Sequence, residues 1–412
     1  MARQFVAVHS PVEPGGLLTA GSETALTAPI NTPQTWDIFC RVIDNFGDIG
    51  VSWRLARLLT DEHDKAVRLW VDDLSALSRL VPATDVTAEI QKRHDIEVCR
   101  WSTDFPDATP ASVVIEAFGC ALPDRYVSAM PEHSRVWFNL EYFTAEPWAA
   151  GCHGLSSPQP NGIAKIFAFP GIQPGTGGLL RETTLLTDRQ EFLQQPAVRL
   201  TWADRWHIPL PTEDSLAILL FGYENAALSG LLNALAASPT PITAYLPEGR
   251  PLNAAHTALN APDLAPGAVH HQGALTLHVL PFLPQIEFDR LLWLCDINFV
   301  RGEDSLARAI WAGKPLIWQI YPTEDKAHWT KLDALLVEFG RTLGQSALQA
   351  WQQLNRDWNA QIFIPAHWNA VIAALPELRA QAELQMRHLS EGEELAQWLV
   401  KTAEQRLQCA TI

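Results

Sequence analysis

Short uninterrupted apolar runs alternate along this chain with longer stretches of helical spacing. Residues 36–42 form a β-prone run, a glycine-bearing loop follows, and 51–59 place apolar side chains at helical intervals. Residues 66–71 read as a second buried strand ending at Asp72 and Asp73, with a helical stretch over 74–80. Strand, loop, helix and strand in that order predict a parallel crossover unit, which 112–116 and 135–138 extend as further strands. The cluster Pro170, Gly171, Pro174, Gly175, Gly177 and Gly178 then breaks the pattern. It restarts with a buried strand at 216–221, the loop Gly222-Tyr223-Glu224-Asn225 and a helix over 226–236. Strands at 242–246 and 275–280 and a helix over 285–295 lead to the clearest crossover: strand 297–300 runs into Arg301-Gly302-Glu303-Asp304-Ser305. A helix from Leu306 then stops at Gly313 and Pro315 before the strand 316–320.

The expected fold is therefore α/β, two Rossmann-like domains facing a cleft, and 412 residues exceed what one core usually organises. The expected divisions are a flexible extension over 1–35, domains over 36–185 and 186–376, and a helical segment over 377–412. By analogy with two-Rossmann transferases, that last segment is expected to return to the first domain. No apolar run reaches the roughly 18 residues that span a bilayer. Phe5 to Val8 is too short an apolar core for a secretory signal, so the cytoplasm is the expected address. The six cysteines show no two-residue spacing, and His270, His271 and His278 lack ligand geometry; buried thiols and no metal site are expected. A formal charge of −16 without any basic run excludes a nucleic-acid footprint. It suits either plain solubility or attraction to a basic patch on a protein partner.

Ligands of wound sheets sit beyond the carboxyl ends of strands, where Asp44 to Gly50 and Arg301 to Ser305 both fall. Asp44 and Asp48 flank Gly47 and bring two carboxylates to one strand end, fit to bind and deprotonate a cationic or hydroxylic acceptor. Turn formation by Asp44 and helix capping by Asp48 explain the same spacing. A dinucleotide fingerprint is a rival reading, with Asp72 as its acid, but only Gly47 and Gly50 are present and Asp48 opposes a pyrophosphate. At the second strand end, Arg301, Ser305 and the helix amides can receive a diphosphate, with Glu303 and Asp304 toward a sugar or ribose; a simple cap is compatible. Phe221, Tyr223, Phe282 and Phe288 fall near strand ends or helix starts, where a ring can cover a nucleobase, although each alone is commonly core.

The run Ile38-Phe39-Cys40-Arg41-Val42-Ile43-Asp44-Asn45-Phe46-Gly47-Asp48-Ile49-Gly50-Val51-Ser52-Trp53-Arg54 resembles the opening of the EarP family of arginine rhamnosyltransferases. Leu69-Trp70-Val71-Asp72-Asp73, Phe221 to Asn225 and Arg301 to Ser305 continue the likeness over nearly the whole chain after residue 35. The resemblance implies a GT-B glycosyltransferase that moves L-rhamnose from dTDP-β-L-rhamnose to an arginine of elongation factor P, with inversion and without metal. It implies Asp48 as general base, Asp44 as support for loop and guanidinium, and Glu303 near the reacting centre. Phe282 and Gln285 would contact thymine, Phe221 and Tyr223 would line the donor pocket, and Arg301, Asp304 and Ser305 would hold diphosphate or ribose. A non-catalytic partner-binding protein on the same scaffold, and a transferase using another nucleotide sugar, are the competing functions.

Overall fold

The computed structural model describes residues 34–43 and 46–409; Asp44 and the expected extension, save its last two residues, lie outside them. The first sheet holds β1 (Thr35–Cys40), β2 (Ala66–Val71), β3 (Ile90–Arg93), β4 (Ile96–Arg100), β5 (Val113–Ala117), β6 (Val136–Leu140), β7 (Ser156–Ser157) and β8 (Lys165–Ala168). Its order is β3-β4-β2-β1-β5-β6-β8-β7, parallel from β4 to β8 with β3 and β7 antiparallel at the edges. The second sheet holds β9 (Leu216–Leu220), β10 (Ile242–Pro247), β11 (Val269–Gln272), β12 (Leu275–Leu280), β13 (Ile297–Arg301) and β14 (Leu316–Gln319), in the order β11-β12-β10-β9-β13-β14. Here β11 alone is antiparallel.

Both parallel cores run outward in two directions from their first strand, so each has a switch point, between β1 and β5 and between β9 and β13. Loops diverge there and leave a crevice. The central strands read as unbroken apolar runs because helices cover both faces. In β1, Ile38 and Cys40 face one core while Phe39 faces the other, among Trp70, Trp101 and Tyr126.

The strands absent from the apolar pattern are explained by exposure. β3 and β11 are half-exposed edge strands, and β4 interleaves the exposed Glu97 among buried residues. The C-terminal segment is helical, as two helices, Leu375–Ser390 and Leu395–Cys409. The second packs Leu395, Leu399 and Val400 into the core of the first sheet. Gly178 (φ +72°) serves this crossing, because a Cβ there would meet the Glu393 carbonyl oxygen at 2.1 Å. Of the thiols, Cys40, Cys99, Cys120 and Cys295 are buried, but Cys152 is half-buried and Cys409 exposed, a correction to the expectation. No helix among the described residues is long and apolar enough to cross a membrane.

Candidate active site

The loop after β1 feeds the helix Gly47–Asp61, and Asp48 in its first turn is 2% exposed. Its Oδ2 accepts the Ile43 amide at 2.8 Å, so the carboxylate folds the loop back toward the strand. Tyr142, just beyond β6, lies near enough to this carboxylate to feel its charge. Its neighbour Phe143 donates its amide to Glu303 Oε2 at 2.8 Å. Adjacent residues of one loop thus lie beside carboxylates that arrive from opposite sheets. Burial pushes the Tyr142 hydroxyl far above its ordinary range, and the charges of Asp48 and Glu303 add to this, so it remains a proton donor.

Glu303 precedes the helix Asp304–Ala312, whose N-terminus has no side-chain cap. The Ser305 hydroxyl accepts the Arg301 amide at 3.1 Å and bonds the Arg301 carbonyl, closing the turn on itself. Gly302 takes the left-handed conformation this turn requires (φ +56°). The Arg301 guanidinium lies over three rings, at 4.7 Å from Tyr223, 5.0 Å from Phe221 and 5.7 Å from Phe46. Phe221 also meets Phe288 at 4.8 Å, and Phe46 meets Phe282 at 5.2 Å across the cleft. A pocket forms where these groups converge, lined by Phe46, Phe221, Phe282, Gln285, Phe288, Arg301, Asp304 and Ser305. Tyr223 stands behind it, its amide held by Gln319 Oε1 at 2.9 Å.

Asp304 and Gln285 also join the two halves. Gln285 Nε2 donates to Asp304 Oδ2 (2.8 Å) and to the Gly50 carbonyl (2.9 Å). Arg54 reaches from the helix Gly47–Asp61 to Asp304 (3.1 Å), Glu182 (2.5 Å) and Asp289 (3.7 Å). Arg308 pairs with Asp289 (2.6 Å) and Glu182 (2.8 Å). Burial opposes the charge on Glu182, yet Arg308 and Arg54 outweigh it and hold the carboxyl well below its usual range. Asp72, the acid of the rival dinucleotide reading, instead accepts the Val42 amide at 2.8 Å.

Sequence patterning missed Tyr142, Phe143, Arg54 and Glu182. The first two were within reach, because their segment follows the carboxyl end of a buried strand; the ion network carries no motif. No group of three or more potential metal ligands occurs among the described residues.

Residues 36–404 match the family model of the EarP elongation-factor P rhamnosyltransferases. The protein-arginine rhamnosyltransferase of Pseudomonas putida is 47% identical over 352 residues, covering 85% of this chain and 93% of its own length. That of Pseudomonas aeruginosa is 43% identical over 351 residues, with the same two shares. A solved structure from work on EarP-mediated arginine glycosylation of translation elongation factor EF-P is 36% identical, with a TM-score of 0.65 over 90% of this chain and 99% of its own. A UDP-glucosyltransferase from Polygonum tinctorium, 13% identical with a TM-score of 0.51 over 91% of this chain and 99% of its own, shares the fold alone. Two wound sheets meeting at their switch points, and identity sustained over this length, show that the chain belongs to the EarP family of GT-B glycosyltransferases.

Proposed function

We propose that this protein-arginine rhamnosyltransferase moves L-rhamnose from dTDP-β-L-rhamnose to one arginine side chain of elongation factor P, with inversion at the anomeric carbon. The observation that carries the reading is the approach of Asp48 and Glu303 to the adjacent residues Tyr142 and Phe143, beside an aromatic pocket that holds Arg301. A guanidinium nitrogen bonds to C1 as the C1–O bond to dTDP breaks, and a nitrogen-bound proton passes to Asp48. Free arginine has a pKa of about 13.8, so a carboxylate cannot deprotonate it beforehand. Asp48 and Glu303, with Asp44 outside the described residues, hold and polarise the cation so that proton loss accompanies bond formation.

In this reading Phe282, Gln285 and Phe288 take the thymine, Phe221 and Tyr223 shape the pocket, and Arg301, Asp304 and Ser305 take the diphosphate or ribose. The uncapped helix N-terminus and the Arg301 guanidinium offer the leaving diphosphate the positive charge that a metal would otherwise supply. Transfer is therefore expected to persist in excess chelator; loss of activity restored by a divalent cation would refute this. A translation factor as acceptor also implies a cytoplasmic site of action. Mass spectrometry of elongation factor P after incubation with the protein and dTDP-rhamnose tests the whole reading. One deoxyhexose on a single arginine is expected, and no increment with this donor alongside transfer from another nucleotide sugar would overturn the donor assignment.

A further inference from the structure

We propose that the cavity between the helices Leu185–Gln194 and Leu375–Ser390 binds a small organic phosphate, its phosphoryl group held by Arg189, Lys314, Arg379 and Arg387. The site shares no residue with the aromatic pocket around Arg301, and the inference is independent of the donor and acceptor assigned above.

The cavity measures about 720 Å³, within the roughly 300–1,000 Å³ of small-molecule sites. It opens at the far end of the helix Asp304–Ala312, about 13 Å along the axis from Asp304. Arg189 forms the floor. Only 8% exposed, it donates Nε to the Ala312 carbonyl at 2.8 Å and pairs with Glu383 at 2.5 Å. Arg387 shares Glu383 at 3.0 Å and Arg379 pairs with Asp296 at 2.8 Å, both arginines standing exposed at the mouth. The ammonium of Lys314, half-buried beside them, has no hydrogen bond or ion pair among the described residues. Four cations therefore share two carboxylates, and two positive charges stand unmatched in a chain whose formal charge is −16. Burial lowers the Lys314 pKa; Asp296 opposes this, and the charges of Arg189 and Arg379 add to it, so an anion in the cavity relieves an existing repulsion.

Cations also gather at helix C-termini to meet the free carbonyls, but of these four only Arg189 bonds one. A phosphate dianion matches the two unmatched charges, and guanidinium forks fit its oxygens. Leu186 and Leu193, partly exposed on the wall, offer apolar surface to the organic part. Gly313 keeps the floor open, because a Cβ there would meet Glu383 Oε2 at 2.8 Å and Arg189 Nη2 at 2.9 Å.

Calorimetric titration of the whole protein with phenyl phosphate and with inorganic phosphate tests the proposal. Phenyl phosphate is expected to bind with a Kd below about 1 mM, at least about 3-fold tighter than inorganic phosphate. Lys314→Gln is expected to weaken it at least about 10-fold and Arg387→Gln about 3-fold, with melting temperatures near wild type, whereas Arg301→Gln leaves it unchanged. No binding to wild type at millimolar concentrations, or an affinity that neither Lys314→Gln nor Arg387→Gln alters, overturns the proposal. A loss caused by Arg301→Gln alone places the anion in the other pocket and overturns it as well. Equal affinity for the two probes overturns the organic ligand. Tighter binding of a hexaglutamate peptide, weakened by the same two substitutions, would give the cavity to an acidic protein segment and overturn the small-molecule assignment.

Discussion

In the proposed reaction Asp48 acts on a group far more basic than itself, and its surroundings fix where its carboxylate stands. It lies in the first turn of a helix, where its Oδ2 accepts the Ile43 amide at 2.8 Å and the carboxylate is held against the strand end. An asparagine keeps a carbonyl oxygen for the Ile43 amide but cannot take a proton. Asp48→Asn is expected to leave donor affinity unchanged by calorimetry and to reduce kcat by at least about 100-fold. Turnover close to wild type would remove Asp48 from the mechanism. The placement of this acid at a strand end was legible, because an acid on a glycine-bearing loop after a buried run is a recognisable pattern. Its neighbours were not, since nothing in the spacing of the chain brings Tyr142 to that loop.

Single elements show the same division between pattern and placement. The helix Asp304–Ala312 was readable from its spacing and its Gly313 stop, and Gly313 does take the left-handed conformation that closes it (φ +61°). The tail helix Leu395–Cys409 was legible as helical, but the surface it covers is decided by packing. There Trp398 meets His153 at 4.0 Å, and His153 Nδ1 accepts the Phe169 amide at 3.1 Å. Burial lowers the His153 pKa to about 4, against the opposing pull of Glu393. An unfolded histidine titrates near 6.5, so the folded chain binds fewer protons between about pH 6.5 and 4, and stability falls as pH drops through that window. After allowance for solvent screening the loss is on the order of 1 kcal/mol. Thermal melts at pH 7.5 and 4.5 read it directly, and His153→Gln should flatten the difference. An unaltered pH dependence in that variant would assign the effect to other groups.

At the scale of the molecule, the two halves are joined by buried charge. Arg54 and Arg308 are 3% and 2% exposed and share Glu182 and Asp289, with Asp304 on Arg54 alone. Removing one cation leaves carboxylates unpaired in a desolvated site, so Arg54→Met is expected to cost about 3–5 kcal/mol in denaturant unfolding. A loss below about 1 kcal/mol would mean that the network relaxes into solvent. The same joint narrows the cleft. The pocket encloses about 60 Å³, against roughly 300–1,000 Å³ for typical small-molecule sites. If the donor binds here as proposed, its entry is expected to require Phe46 and Phe282 to part and Gln285 to exchange its bonds to Gly50 and Asp304. Saturating dTDP-rhamnose is expected to change the small-angle scattering profile, and superimposable profiles with and without donor would oppose this opening.

The sequence by itself determined the alternation of buried strands and amphipathic helices, the restart of that pattern after the glycine and proline cluster, and the two strand-end motifs. These follow from local periodicity and turn chemistry, which need no knowledge of neighbours. The family likeness was equally a property of the sequence. Only the tertiary structure decided that the Phe143 amide holds Glu303, that Arg301 lies among three rings, and that Arg54 spans the cleft to Asp304. Each joins residues distant along the chain, and side-chain geometry across an interface is set by packing between elements, which periodicity within an element does not encode.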